Sequence, residues 1–146
     1  MSQQEDERYM RLALEEAQLA YESGEIPIGA VVVCDGRVIA RAHNEVERLS
    51  DPTAHAEVLA VTAATQYMGC KFLGDCRLYV TIEPCTMCAG ALHWARLGEV
   101  IYGASEEKFG YQRYAPEIFP RATKVRGGVL AEEARALMQS FFRARR

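Results

Sequence analysis

The sequence predicts an α/β fold, a three-layer α/β/α sandwich around a central mixed sheet of five strands. Two observations carry this prediction. Amphipathic helical segments alternate with short runs rich in β-branched residues, which is typical of a sheet covered by helices on both faces. The pair Asp35-Gly36 joins the first two runs in a tight turn, which adds an antiparallel hairpin and makes the sheet mixed. A length of 146 residues suits a single domain, residues 1–146.

The first third of the chain predicts a helix and then the hairpin. From Glu5 to Ser23, apolar and small side chains recur at three- and four-residue spacing, and Gly24 follows as a helix-ending residue. Ile28 to Val33 and Val38 to Ala42 are short apolar runs on either side of the turn, so they predict the two hairpin strands.

The middle of the chain predicts a helix, a strand and another helix. Asp51-Pro52-Thr53 is a helix-start signal, so a helix is expected from Ala54 to Met68. The apolar run Arg77 to Ile82 predicts a strand. Pro84 suits the first turn of a helix, where its missing N–H is not needed, and therefore predicts a helix from Cys85 to Leu97.

The last third of the chain predicts two strands and a final helix. The strands are Glu99 to Ala104 and Thr123 to Arg126, and the helix, Ala131 to Arg143, has apolar residues along one side. The long irregular stretch between the strands, Ser105 to Ala122, is the candidate substrate-binding loop.

Composition and charge exclude some classes of function. A net charge of −3 argues against a protein that wraps nucleic acid by bulk electrostatics. The apolar runs are too short to span a bilayer, so we expect a cytoplasmic protein without membrane association. The last residues, Phe141 to Arg146, nevertheless combine aromatic rings with three arginines and leave RNA binding open.

Two short motifs carry the candidate chemistry, His55-Ala56-Glu57 and Pro84-Cys85-Thr86-Met87-Cys88. One imidazole and two thiols make a three-ligand zinc set, and the fourth position that zinc prefers stays open for water, as in catalytic sites. Both motifs begin predicted helices, where the helix dipole favours thiolates. The motifs therefore predict a hydrolytic enzyme with one Zn²⁺ per subunit, bound by His55, Cys85 and Cys88.

Glu57 is the candidate catalytic residue because its carboxylate can take the proton of the attacking water and pass it to a leaving amine. The pattern H-x-E with P-C-x-x-C is an established signature of zinc-dependent deaminases. The reaction indicated is hydrolytic deamination of a C–NH₂ group in an aromatic ring. The alternative is a zinc that only joins two helices, which would need a fourth ligand from Cys34, Cys70, Cys76, His43 or His93.

Several other cysteine, histidine and tryptophan residues are expected to have only a packing role. Cys34, Cys70 and Cys76 are predicted to be small buried residues. His93 is predicted to pack within its helix, and Trp94, the single tryptophan, is predicted to lie in the core.

With these motifs the chain resembles the cytidine and deoxycytidylate deaminase superfamily, and within it the bacterial tRNA-specific adenosine deaminases. The resemblance runs nearly end to end. It is carried by the segments Glu25 to Val31, Ala42 to Asn44, Asp51 to Glu57, Leu78 to Ala91 and Phe141 to Arg143.

The resemblance implies a cytidine deaminase-like fold and conversion of adenosine to inosine at the wobble position of a tRNA anticodon, in a homodimer whose two subunits both contact the stem-loop. It also implies roles for individual residues: Asn44 would hydrogen-bond the flipped purine, and the Ala56 N–H would contact its oxygen after attack. Pocket walls and neighbouring RNA contacts are implied for Ile28, Phe142, Glu106 and Lys108.

The chain departs from the resembled pattern after Lys108, where many members have a loop of small residues. Here Phe109-Gly110 leads into Tyr111-Gln112-Arg113-Tyr114, and these aromatic rings would either stack on splayed anticodon bases or pack at a dimer interface.

Two other functions compete with deamination of tRNA. The first is deamination of free guanine or another nucleobase or nucleoside, which would use the same chemistry in a different pocket. The second is a non-catalytic RNA-binding subunit that keeps zinc for stability, against which the presence of Glu57 argues.

Overall fold

The computed structural model describes residues 2–145, in which a mixed five-stranded sheet is covered by helices on both faces. The strands are β1 Gly29–Cys34, β2 Arg37–His43, β3 Cys76–Ile82, β4 Glu99–Ala104 and β5 Lys124–Arg126. The helices are α1 Gln3–Glu22, α2 Val46–Leu49, α3 Ala56–Met68, α4 Thr86–Ala95, α5 Tyr111–Tyr114 and α6 Ala131–Arg143. The α/β sandwich predicted from the sequence is confirmed.

The sheet has the strand order β2-β1-β3-β4-β5. Strand β1 pairs antiparallel with β2 and with β3, whereas β3, β4 and β5 run parallel. The predicted turn supplies the antiparallel start, because Asp35 and Gly36 have positive φ angles of 53° and 75°. The parallel strands β3 and β4 are joined through α4. The start of α4 therefore lies at the carboxyl end of β3.

Strand β1 shows how both sheet faces are buried. Ala30 and Val32 pack with residues of α3 and α4, whereas Val31 and Val33, which point to the opposite face, pack with residues of α1. This accounts for the continuous apolar run in the sequence, because a strand covered on both faces needs no polar alternation. Helix α6 packs at the ends of β3 and β4 through Ala134.

All predicted bounds differ from the observed ones by at most two residues, but two helices were not predicted. Helix α2 has four residues, none of them buried, and α5 is a single turn within the stretch Ser105 to Ala122 that was predicted to be irregular. Neither is long enough to display a helical repeat of apolar residues.

The prediction that Trp94 lies in the core is wrong, because its side chain is 74% exposed. The buried stripe of α4 consists of Cys88, Ala89, Leu92 and Ala95. Trp94 falls outside this stripe, so the helical spacing overrides the general tendency of tryptophan to be buried.

The expectations for the remaining cysteines and for His93 have mixed outcomes. Cys76 is buried, but Cys34 at the end of β1 is half-buried and Cys70 beyond the end of α3 is exposed, so the prediction is wrong for these two. His93 is packed as predicted, with Nδ1 2.6 Å from the Ile118 carbonyl oxygen.

Asp6 of α1 is a buried carboxylate that ties α1 to the sheet. Its Oδ1 accepts hydrogen bonds from the Tyr79 hydroxyl at 2.7 Å and from Arg126 Nη2 at 2.9 Å. Burial alone would raise the pKa of Asp6, but the hydrogen bonds from Arg126 and Tyr79 outweigh it and hold the pKa below the ordinary value of 3.8. The stabilisation is therefore present above pH 3.8 and is lost as the pH falls through the lowered pKa.

We expect Asp6→Asn to lower the free energy of unfolding at neutral pH by about 1–3 kcal/mol, because a charged acceptor is removed from Arg126 and Tyr79. The difference in free energy of unfolding between Asp6→Asn and the unchanged protein should become smaller when urea unfolding is repeated below pH 3.8. Glu132→Gln is the matched control, because that side chain is 88% exposed in its pair with Arg135. Equal stability of the two variants at neutral pH would contradict the assignment.

Within residues 2–145, none of the helices combines the length and the apolar character needed to cross a membrane. Arg146, the last arginine of the basic tail, lies outside the described residues.

Candidate active site

The three candidate metal ligands lie at the starts of two helices. His55 is the residue before α3 and Cys85 the residue before α4, and both have extended backbone conformations without a side-chain capping bond. Their side chains are therefore available for another partner. Cys88 lies in the first turn of α4, so both sulfurs project from the start of one helix. His55 was predicted to lie in the first turn of its helix, but it is the residue before that turn.

The ligand atoms of His55, Cys85 and Cys88 all lie within 4.8 Å of one another. The His55 Nδ1 atom is 3.7 Å from Cys85 Sγ and 3.5 Å from Cys88 Sγ. Among the described residues, no further histidine, cysteine or carboxylate belongs to this group. One imidazole nitrogen and two sulfurs are donors that zinc favours, and a set of three leaves room for a fourth ligand. The donor set therefore fits a catalytic zinc ion better than a fully enclosed structural one.

The cluster favours ionisation of one thiol. A hydrogen bond with Cys88 is the largest effect that lowers the pKa of Cys85 to about 4; His55 adds to the lowering, and burial opposes it. The same hydrogen bond and burial raise the pKa of Cys88, and the contact with Cys85 raises the pKa of His55. Thiolate is the form in which cysteine binds metal ions, so Cys85 is electrostatically prepared for that role.

Glu57 lies in the first turn of α3 and is only 4% exposed. Burial raises its pKa from 4.5 to about 7. A carboxyl group that binds and releases a proton near neutral pH suits general acid–base catalysis. Glu57 is not one of the grouped ligands, so its carboxyl group remains available for proton transfer.

A cavity of about 1610 Å³ opens beside the cluster. Eight of the ten residues predicted for the site line it, namely Ile28, Asn44, His55, Glu57, Cys85, Glu106, Lys108 and Phe142. The other two, Ala56 and Cys88, are fully buried. The structure thus brings together residues from six separate stretches of the chain, including the C-terminal helix α6.

Asn44 and Ala56, both predicted to contact substrate, are bonded to each other. The Ala56 N–H donates to Asn44 Oδ1 at 2.8 Å. Because an N–H can only donate, this bond fixes the orientation of the amide and leaves Asn44 Nδ2 as the free donor at the cavity. Within the described residues, Asn44 Nδ2 has no hydrogen-bond partner.

The loop that departs from the resembled pattern divides into buried and exposed parts. Tyr111 is only 6% exposed and packs against Phe119, with ring centroids 5.0 Å apart. Phe109 and Tyr114 are 64% and 61% exposed. Tyr111 therefore belongs to the core of this chain, while the other two rings remain available to RNA or to a second subunit.

Sequence reasoning missed two buried carboxylates on the cavity wall, Glu25 and Glu83. Each accepts two backbone N–H bonds from residues more than twenty positions away in the chain. Their positions beside Ile28 and Cys85 were a weak signal, because acidic residues at the ends of apolar runs are usually exposed.

Comparisons with known proteins point to one family. A family model for MafB19-like deaminases matches residues 4–146. The tRNA-specific adenosine deaminase of Bacillus subtilis is 43% identical over 144 residues, which cover 95% of this chain and 89% of that protein. The chain belongs to the tRNA-specific adenosine deaminase family. Its Aquifex aeolicus member is 49% identical over 104 residues, 71% of this chain and 69% of that protein.

The structure of this member of the tRNA-specific adenosine deaminase family is similar to solved structures of other deaminases. A tRNA:A34 deaminase studied for A-to-I editing at the wobble position superposes with a TM-score of 0.83 and 41% identity, covering 89% of this chain and 98% of that one. Guanine deaminase from Bacillus subtilis has a TM-score of 0.67 and 41% identity, covering 77% of this chain and 75% of that one. The fold is thus shared with deaminases that carry different names for their substrates.

Proposed function

We propose that this chain deaminates adenosine to inosine at the wobble position of a tRNA anticodon, in the cytoplasm, with one Zn²⁺ held by His55, Cys85 and Cys88 in each subunit of a homodimer. The observation that carries the proposal is the three-ligand cluster, with Glu57 beside it, at a cavity lined by Asn44. Relatives that are 43% identical over nearly the whole chain support the choice of substrate.

The reaction replaces the C6 amino group of adenine by oxygen, consuming one water and releasing ammonia. When bound, zinc supplies Lewis acidity that lowers the pKa of water towards about 7. Glu57 takes the proton that the water loses and delivers it to a ring nitrogen, and then carries a second proton to the departing amine. Burial raises the pKa of Glu57 above its ordinary value, which favours a carboxyl group that can both take up and release a proton.

Asn44 is proposed to hold the flipped base. Its Nδ2 group can donate to a purine nitrogen while its Oδ1 is occupied by the Ala56 N–H. Ile28 and Phe142, which are far apart in the sequence, supply apolar walls of the cavity. The Phe142 side chain is 46% exposed and offers an accessible ring face.

Basic side chains at the cavity support an RNA substrate. Lys108, Arg143 and Arg145 all line the cavity, although the chain as a whole has a net charge of −3. The lining also contains six glutamates, so the support comes from these three individual side chains, each of which can bind a phosphate, and not from an overall positive charge of the cavity. Glu106, which lines the same cavity, is proposed to contact the ribose of a neighbouring nucleotide.

The homodimer is supported by exposed apolar side chains on α4. Met87 and Trp94 are 40% and 74% exposed, and nearby Phe72 is 43% exposed. Aromatic residues and methionine are enriched at protein interfaces. We expect sedimentation of the purified protein to give the mass of a dimer and Trp94→Asp to shift it towards the monomer; a wild-type monomer at micromolar concentration would contradict this.

The direct test incubates the purified protein with total tRNA and locates new inosine by mass spectrometry. Inosine at the first anticodon position is the expected result. The second candidate function, deamination of free guanine, is favoured by the similarity to the Bacillus subtilis guanine deaminase structure. Release of ammonia from guanine without inosine in an anticodon stem-loop would decide for that alternative.

A further inference from the structure

Glu83 is a buried carboxylate that neither the metal cluster nor the proton transfer uses. It directly follows β3, precedes Pro84-Cys85, and is only 5% exposed although it lies at the cavity wall. Its own N–H donates to the Ala104 carbonyl oxygen at 2.8 Å, which fixes its backbone to the end of β4. The side chain therefore projects from a rigid part of the fold.

The two oxygens of Glu83 bind the two ends of one loop segment. Oε1 accepts from the Glu106 N–H and Oε2 from the Gln112 N–H, both at 3.1 Å. The cavity-lining residues Lys108 and Phe109 lie between these two points. We name residues 106–112 the wall segment.

The wall segment is also attached to the chain that carries the metal ligand Cys85. The Tyr111 N–H donates to the Pro84 carbonyl oxygen at 2.9 Å, and Gly110 forms an isolated β-bridge with Cys85. Glu83 thus completes a set of contacts that places one wall of the cavity at a fixed position relative to the metal cluster.

Gly110 leaves the space that the Glu83 carboxylate fills. A Cβ atom at position 110 would lie 2.3 Å from Glu83 Oε2 and 2.3 Å from the Glu106 carbonyl oxygen. The φ angle of Gly110 is −63°, so close approach rather than backbone conformation requires glycine here. Any larger residue would displace the carboxylate or the segment.

Glu25, another buried carboxylate at the cavity wall, is bonded in the same way. It is 3% exposed, lines the cavity, and accepts from the Glu47 and Arg48 N–H groups at 3.0 Å and 2.9 Å. Two buried carboxylates therefore each hold one short segment of the cavity wall by its backbone, Glu25 at helix α2 and Glu83 at the stretch that leads into α5. Because these bonds use only backbone donors, Glu25 and Glu83 occupy none of the side chains of the held segments. Within the wall segment, Glu106 Oε1 accepts the Lys108 and Phe109 N–H groups at 2.8 Å and 3.4 Å.

We propose that Glu83 is a positioning residue for RNA binding: it holds the wall segment so that Glu106 and Lys108 meet the nucleotides beside the reacting base. The proposal rests on the proposed function for the identity of the substrate. It assigns Glu83 to binding rather than to chemistry, because its oxygens are occupied by backbone donors and not by the metal cluster.

Glu83→Gln is the decisive variant because glutamine has the same shape but presents an NH₂ group to one of the two N–H donors. One end of the wall segment is then released. Glu99→Gln is the matched control, because Glu99 is a partly buried carboxylate bound to Arg126 and does not line the cavity.

Three measurements are made on each variant: amide hydrogen exchange of residues 106–112, kcat and KM for an anticodon stem-loop, and zinc content. For Glu83→Gln we expect faster exchange in the wall segment, a KM raised about tenfold, kcat within about threefold, and unchanged zinc content. Glu99→Gln should match the wild type in all four. Gly110→Ala, which displaces the same contact from the loop side, should reproduce the raised KM.

The proposal is overturned if exchange and KM of Glu83→Gln are unchanged, or if kcat falls while KM stays constant. Hydrogen exchange needs no substrate, so it tests the role of Glu83 in the wall segment even if the wild-type protein makes no inosine. Absence of inosine with the wild-type protein would reject the proposed function and not the role of Glu83.

Discussion

Glu57→Ala is expected to abolish deamination while leaving the metal bound. Glu57 is outside the three-ligand group, so its loss removes no ligand, but it removes the group that moves protons between water and amine. General acid–base catalysis contributes about 10²–10⁴-fold to a rate, and kcat should fall by that amount. Turnover on an anticodon stem-loop and zinc content by plasma emission spectroscopy are measured on the same preparation.

Glu57→Gln is the control for shape, because Glu57 is only 4% exposed and alanine would leave a void beside the ligands. Glutamine keeps the volume but cannot accept and release a proton. Both variants should therefore be inactive and zinc-loaded. Deamination within threefold of the wild-type rate in either variant would reject the assigned role.

His55→Ala is expected to lose the metal as well as the activity. It removes the single nitrogen donor of the group and leaves two sulfurs. Changes to residues that merely support metal ligands already cost about 10–100-fold in metal affinity, so loss of a ligand should cost at least as much. After dialysis against a weak chelator, the variant should therefore retain little zinc and show no measurable turnover.

His93→Ala provides the comparison for His55→Ala. His93 lies in α4, the helix that carries Cys88, but its Nδ1 contacts the Ile118 carbonyl oxygen and it is not in the ligand group. This variant should keep its zinc. Full zinc content in His55→Ala under the same dialysis would show that the cluster is not the metal site.

The sequence predicted the ligand set because all of its information is local. His55, Cys85 and Cys88 lie in short motifs at helix starts, and local spacing is enough to bring two sulfurs to one side of a helix. The hairpin was predictable for the same reason, since Asp35 and Gly36 specify a turn without help from distant residues.

The cavity walls could not be predicted in the same way. Glu25 and Glu83 are held by backbone groups of distant segments, so their sequence neighbourhoods give only a weak indication of their burial. The bond between Asn44 and Ala56 likewise depends on the packing of β2 against α3. Trp94 differs, because the stripe of buried residues on α4 already excluded it from the core.

The order of the cavity residues along the chain has a consequence for biosynthesis. The three candidate metal ligands lie within the first 88 residues, whereas Phe141 and Phe142 of α6 are among the last residues to be translated. A domain generally folds as a unit. The cavity is therefore complete only after α6 has been made and has packed against the ends of β3 and β4, so a chain that stops before Phe141 would carry the candidate ligands without this aromatic wall.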